Sequence, residues 1–413
     1  EDLLTDLSKI RGLKVASRNA VARYRGTRPE IATVGADLGV GAVLEGSVRR
    51  AGERVRITAQ LIGTADGFQL WAERYDRTMD DVFAVQAEIA AAIAAALSVA
   101  LAPGEIEELG KNRPQDVRAY DLYLRGRAEY GHYTRDSLEK ARALFEEALR
   151  VDPGYALAWA GIADCWGQSM QWGYAEDRAR ATAEGLAAVE RALAIEPRLV
   201  EAWKAKSLIH QFSGEKEEAR AALRRALEIQ PRFLPALINY GVELVREGDL
   251  AAAERCFRRA REIDPQEPFG LSWNVWVLWM TRREEEAMSL LPAYRALGDD
   301  PLYVAAVHSF RGWWQARQGD WAAVDACVRE AVADGASAER LVSLSAVAAA
   351  GRGEAETARR LLRDVLEGGN PGAFGLILTA VAACRIGDME TAQQLAARTL
   401  LRELLPVIAR LEV

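Results

Sequence analysis

The sequence predicts a mainly α protein, a right-handed α-solenoid of helix pairs preceded by a small α/β module. Three observations carry this. Pro197, Pro231 and Pro265 recur every 34 residues, a period that marks stacked helix-turn-helix units. Gly214 and Gly248, each followed by an acidic residue, divide the intervals into two helical stretches. Only residues 40–75 read as alternating strands separated by glycine turns.

Composition narrows the function classes. The chain has 413 residues, half of them hydrophobic, enough for a large core in two to three domains. Lys and Arg number 53 against 60 Asp and Glu, a net charge of -7. That lacks the positive surplus needed for broad binding to nucleic acid or anionic lipid. Cys165, Cys256, Cys327 and Cys384 lie far apart inside helical patterns and read as buried free thiols. His132, His210 and His308 are equally scattered. Gly39-Val40-Gly41 follows a helix and precedes a strand, the reverse of a phosphate loop, and no nucleophile elbow or metal-binding helix motif occurs. The segment is therefore read as non-catalytic, without metal or cofactor. Ile89 to Ala102, its best apolar run, is 14 residues between Glu88 and Glu105 and too short to span a bilayer. With no signal peptide, the expected location is the cytoplasm.

Taken in order, Leu3, Leu4, Leu7 and Ile10 have helical spacing, and a short strand is expected at Leu13 to Ala16. A helix from Glu30 to Leu38 stops at Gly39. Strands follow at Ala42 to Arg50 and Arg54 to Ile62, joined by Ala51-Gly52-Glu53. Val55, Ile57, Ala59 and Leu61 alternate with Arg54, Arg56, Thr58 and Gln60, so one face is buried. A third strand runs from Phe68 to Tyr75, and a helix begins near Asp81, capped by Asp80 or Asp81. The module is assigned to residues 1–102, a polar linker to 103–117 and the repeats to 118–413.

Within the repeats the turn glycines are Gly214, Gly248, Gly319, Gly353 and Gly387, with Arg283 near the missing one. The fifth repeat, residues 266–301, is slightly expanded. Pro153 and Pro197 are separated by ten residues more than the period, with the excess around Gln168 to Arg178 as lengthened helix ends or a packed loop. Ala163, Ser207, Gly241, Gly312, Ala346 and Ala380 face Ala219, Ala253, Ala287, Ala358 and Ala392, small residues that let helices approach. Leu400 to Val413 is apolar enough for a cap or a contact surface.

These prolines, glycines and small residues resemble the tetratricopeptide repeat, about eight copies of it. The run Val40 to Tyr75 is similar to the TolB amino-terminal-domain-like module of bacteria. It carries Leu44-Glu45-Gly46-Ser47-Val48-Arg49-Arg50, Arg56-Ile57-Thr58-Ala59-Gln60-Leu61 and Leu70-Trp71-Ala72-Glu73-Arg74-Tyr75-Asp76, with Ser17-Arg18-Asn19 and Tyr24-Arg25-Gly26 before it. Members of that family begin with a further strand, so the resemblance implies that the first strand is missing and the chain is a fragment. The whole resembles the region downstream of bacterial class III adenylate or guanylate cyclase domains, winged-helix regulators or protein kinases. It implies a protein-protein interaction scaffold, the sensing or regulatory half of a larger bacterial signalling protein. Alternatives are the regulatory part of a nucleotide cyclase enzyme whose catalytic domain lies upstream, and a cell-envelope assembly factor.

In tetratricopeptide families ligands lie against set positions of the first helices. Carried onto this chain, the groove is lined by Lys204 and Leu208, by Ile238 and Val242, by Phe269, Trp276 and Trp279, and by Trp313. Repeats that grip a peptide carboxylate need Lys and Asn there, and only Lys204 qualifies. The implied partner is a protein or peptide, taken as an extended segment or a helix, with Trp276 and Trp313 exposed as anchors. The chain's own amino-terminal module is a second candidate occupant. The competing reading places the tryptophans in the core.

Overall fold

A computed structural model describes Leu7, Ile10, 12–16, Val21, Tyr24, 29–51, 54–78, 82–99, 114–265, 267–298, 301–367 and 372–397. The protein is mainly helical, with helix pairs following a small sheet. It divides into two compact units, Glu1–Tyr240 and Gly241–Val413.

In the first unit, helix α1 (Ile31–Leu38) ends at Gly39, which takes φ 63° and bonds back to Gly35. Strands β1 (Ala42–Ala51), β2 (Arg54–Gly63) and β3 (Gln69–Thr78) form an antiparallel sheet in that order. The register sets Leu44, Leu61 and Trp71 in one row and Val48, Ile57 and Tyr75 in another. Residues opposite one another share a face, so the alternation along β2 directs Val55, Ala59 and Leu61 inward. Ala59, Leu61 and Tyr75 are buried with Val85, Ile89 and Ile93 of α2 (Val82–Ala96).

The strand expected at Leu13 to Ala16 does not form. Those residues have no regular structure, and Leu13 and Val15 pack as apolar loop residues on the sheet-helix core. A strand requires a ladder partner, and none pairs with them among the described residues. Leu3, Leu4, Ser17 to Asn19, Arg25 and Gly26, the Gly52-Glu53 turn, the Asp80 or Asp81 cap, most of the linker and Leu400 to Val413 lie outside the described residues.

Helix pairs then begin with α3 (Val117–Tyr130) and α4 (Arg135–Val151), α5 (Ala156–Gln171) and α6 (Arg178–Ile195), and α7 (Val200–Ser213) and α8 (Lys216–Ile229). Asp116 caps α3, Thr134 and Ser137 form a reciprocal capping box on α4, and Asp177 caps α6. Close helix approach depends on glycine. A Cβ on Gly126 of α3 would lie 2.6 Å from the Phe145 ring, and one on Gly161 of α5 would lie 2.8 Å from it. Phe145 is fully buried. The ten extra residues of the second pair serve both purposes left open by the sequence: α5 and α6 are 16 and 18 residues against 14 each for α7 and α8, and residues 172–177 form a longer loop.

α9 (Leu234–Glu247) contains the division between units. The second unit continues with α10 (Leu250–Ile263), α11 (Pro268–Met280), α12 (Glu284–Ser289), α13 (Leu291–Arg295), α14 (Pro301–Arg317), α15 (Trp321–Ala333), α16 (Ala338–Gly351), α17 (Ala355–Leu366), α18 (Gly372–Arg385) and α19 (Met389–Ala397). Gly248, Gly319, Gly353 and Gly387 are all left-handed. Their missing counterpart is Arg282 at φ 61°, one residue before the Arg283 expected, where the 34-residue step from Gly248 falls. The turn is kept by hydrogen bonding: Arg283 N–H reaches Leu278 O at 2.8 Å, as Asp249 reaches Leu244 at 3.0 Å and Glu354 reaches Ala349 at 2.9 Å. The second helix of the fifth repeat is broken into α12 and α13, with Pro292 at the break.

Two substitutions test this packing. A Cβ on Gly241 would lie 2.7 Å from Phe257, which is fully buried, so Gly241→Leu is expected to cost about 1 to 3 kcal/mol, read as a lower melting temperature. Arg282→Gly relieves a left-handed conformation disfavoured for a side chain, and is expected to raise stability by about 1 kcal/mol in denaturant titration.

Candidate functional site

The ligand-facing positions read from the sequence lie in both units, and the structure gives them different roles. In the first unit α3, α5 and α7 contribute a polar cluster. Lys204 on α7 places Nζ 2.6 and 2.8 Å from the two carboxylate oxygens of Asp164 on α5. Both side chains are 14% exposed. Tyr130, at the end of α3, accepts from Gln168 Nε2 at 3.2 Å, and Lys204 Nζ lies 3.5 Å from its hydroxyl. Burial pushes the Tyr130 hydroxyl pKa well above its usual value, and the Asp164 charge adds to the shift. Gln168 Oε1 in turn accepts from Trp172 Nε1 at 3.1 Å.

The consequence is electrostatic. Lys204 is the right residue type for a peptide carboxylate, but Asp164 already neutralises it. What remains accessible at this place is aromatic: Trp172 is 43% and Tyr133 37% exposed. Tyr133 meets Tyr130 edge to face at 5.2 Å, and Tyr174 donates to the Tyr133 carbonyl at 3.3 Å. Leu208, four residues beyond Lys204, is buried, and a Cβ on Gly167 of α5 would meet it at 2.8 Å. It is helix packing.

In the second unit the tryptophan expectation is corrected. Trp276, Trp279 and Trp313 are 8%, 3% and 7% exposed and belong to the core. Trp279 meets Phe310 at 5.0 Å, Trp276 meets Trp279 and Phe310 at 6.4 Å, and Tyr294 meets Phe310 at 6.3 Å, all edge to face. The physical reason is volume. The fifth pair's second helix is reduced to six residues in α12 and five in α13, and large rings occupy the space of a continuous partner helix. Val242 is likewise buried, as is Ile238 in the first unit. Of the second unit's predicted residues only Phe269 is open, at 61%. Thus, among the eight predicted residues, Phe269 alone is exposed, and Lys204 is held in its pair with Asp164.

Beside Phe269 stands a titratable group that sequence reasoning missed. Glu267 caps α11 by accepting from the Gly270 N–H. Burial pushes its carboxyl up to about 7, and the nearby Asp264 charge adds to the shift. Asp164 and Gln168 were missed too. Their signal was present: two polar residues one turn apart on a helix that is otherwise mostly apolar or small. Among the described residues no group of three or more His, Cys, Asp or Glu is arranged to hold a metal ion, and no helix is long and apolar enough to cross a membrane.

Comparison with known proteins fits the helix pairs. The tetratricopeptide repeat model matches residues 200–233 and 234–267, the pairs α7–α8 and α9–α10. A curated relative, the putative adenylate cyclase 3 of Rhizobium meliloti (strain 1021), is 46% identical over 162 residues, covering 39% of this chain and 28% of its own length. The chain thus spans little more than a quarter of that relative. Among solved structures, the yeast Tom70 is similar at 17% identity, covering 73% of this chain and 65% of its own, with a TM-score of 0.46. A thermophilic tetratricopeptide protein of Thermus thermophilus is 19% identical, covering 42% of this chain and 88% of its own, with a TM-score of 0.35.

Two measurements probe these sites. Lys204→Met strands a largely buried carboxylate and is expected to cost about 3 kcal/mol, with most of it recovered when Asp164→Leu is added, as seen in thermal unfolding. For Glu267, a carboxyl whose folded pKa is raised, the stabilisation is present below the ordinary value and is lost as pH rises through about 7. Glu267→Gln is therefore expected to be more stable than the native chain by roughly 2 to 3 kcal/mol at pH 8, with the difference closing by about pH 4.5.

Proposed function

We propose that this chain is a protein-recognition segment without catalytic activity of its own, the sensing or regulatory half of a larger bacterial cytoplasmic signalling protein that also carries a nucleotide cyclase domain. The observation that carries this reading is the 46% identity over 162 residues to a putative adenylate cyclase of which this chain covers only 28%, in a chain built from helix pairs of the tetratricopeptide type. Residues 1–102 act as the module resembling the TolB amino-terminal domain, 103–117 as the linker and 118–413 as the repeats.

Recognition uses the first-helix face of α3, α5 and α7. Its Lys204–Asp164 pair is neutral, which favours an uncharged or apolar stretch of a protein or peptide partner over a terminal carboxylate. The exposed rings of Tyr133 and Trp172 supply the contact area. Phe269 is the accessible candidate in the second unit.

Two assays decide between this reading and an enzymatic one. The purified chain incubated with ATP or GTP and a divalent metal is expected to form no cyclic nucleotide, and formation of either product would overturn the assignment. Immobilised chain is expected to retain a partner from the native host, and Tyr133→Ala with Trp172→Ala to lose it while unfolding normally. Undiminished retention would remove this face from the reading.

A further inference from the structure

The amino-terminal sheet has a second face, turned away from α2, that the helix-pair reading does not use. At the β1–β2 hairpin end of this face the register brings arginines together from all three strands. Arg49, Arg56 and Asp76 form one row, Ser47, Thr58 and Arg74 the next, and Arg54 lies opposite Thr78. Neighbouring strands are about 4.8 Å apart and alternate residues about 7 Å, so four arginine positions share a patch about 14 Å long and about 10 Å wide. Among the described residues one carboxylate pairs with them: Asp76 lies 2.6 Å from Arg56 and 3.8 Å from Arg74. Arg56, Arg74 and Asp76 are each more than half exposed, and Arg49 and Arg54 are exposed as well.

The charge runs against the chain as a whole, which is net -7. It also changes along the strands. The centre carries a Ser47–Thr58 hydroxyl contact of 3.3 Å and a Gln60–Glu45 hydrogen bond of 3.0 Å. A ten-residue strand such as β2 extends for about 34 Å, room for an extended segment of about ten residues.

We propose that this face docks an acidic protein segment, one that sets Asp or Glu side chains against the arginines. The basic patch takes the carboxylates. Four arginines interrupted by Asp76 are fewer than the roughly six to ten phosphate contacts of a strong nucleic-acid binder. This face is separate from the helix pairs, so its failure leaves the preceding reading standing.

The test is fluorescence anisotropy with the full chain and a labelled peptide of about ten residues with glutamates at one end. Controls are the same peptide with Gln for Glu, a single-stranded oligonucleotide and phosphatidylserine vesicles. The glutamate peptide is expected to bind best and to weaken with added salt. Arg49→Glu with Arg54→Glu should lower affinity about tenfold, whereas Asp76→Asn, which removes the internal counter-charge, should raise it about threefold. Circular dichroism and melting establish that each variant is folded. If the arginine variant does not fold, Asp76→Asn alone decides, and no gain in affinity overturns the proposal. Equal binding of the Gln peptide, tighter binding of oligonucleotide or vesicles, or a folded arginine variant with native affinity overturns it too.

Discussion

Everything in the helix pairs depends on one steric constraint: two helices approach closely only where one of them presents a small residue, glycine at the tightest contacts. Phe145 lies against Gly126 of its own pair and Gly161 of the next, and Phe257 lies against Gly241. The rings replace the missing side-chain volume and bury their full surface, at roughly 25 cal/mol per Å² of apolar area. Small residues set the distance between helices, and the rings fill what the distance leaves.

The same constraint accounts for the tryptophans. Where a pair has two full helices, small residues bring the backbones together around buried rings such as Phe145 and Phe257. Where α12 and α13 are short, Trp276, Trp279, Tyr294 and Phe310 close on one another instead. Aromatic richness in this irregular pair is therefore a packing solution. Two accessible rings occur at the margins of α3 and α5: Tyr133 lies in the turn after α3, and Trp172 closes the lengthened α5.

Much of the architecture was legible because it repeats. A glycine at a fixed interval reports a left-handed turn, and alternation along β2 reports a buried face. Arg282 shows the limit of that legibility: the turn survives there through its hydrogen bonds with a residue type that conceals it. The Leu13 to Ala16 expectation failed because strand propensity says nothing about the presence of a ladder partner. The candidate site was less legible than the fold. Lys204 was visible by type, but its neutralisation arises from Asp164 forty residues earlier, a pairing set by how α5 stacks on α7. Exposure of a tryptophan is likewise a property of neighbouring helices.

The position of Phe145 has a consequence for how this chain can change. One ring touches glycines on two different helices, so positions 126, 145 and 161 share a single volume. A larger residue at either glycine becomes compatible only when the ring shrinks, and a smaller residue at 145 opens a void that both helices border. The first two pairs are thereby bound to drift together: substitutions there come as matched sets, whereas an exposed position on α4 is free to vary alone.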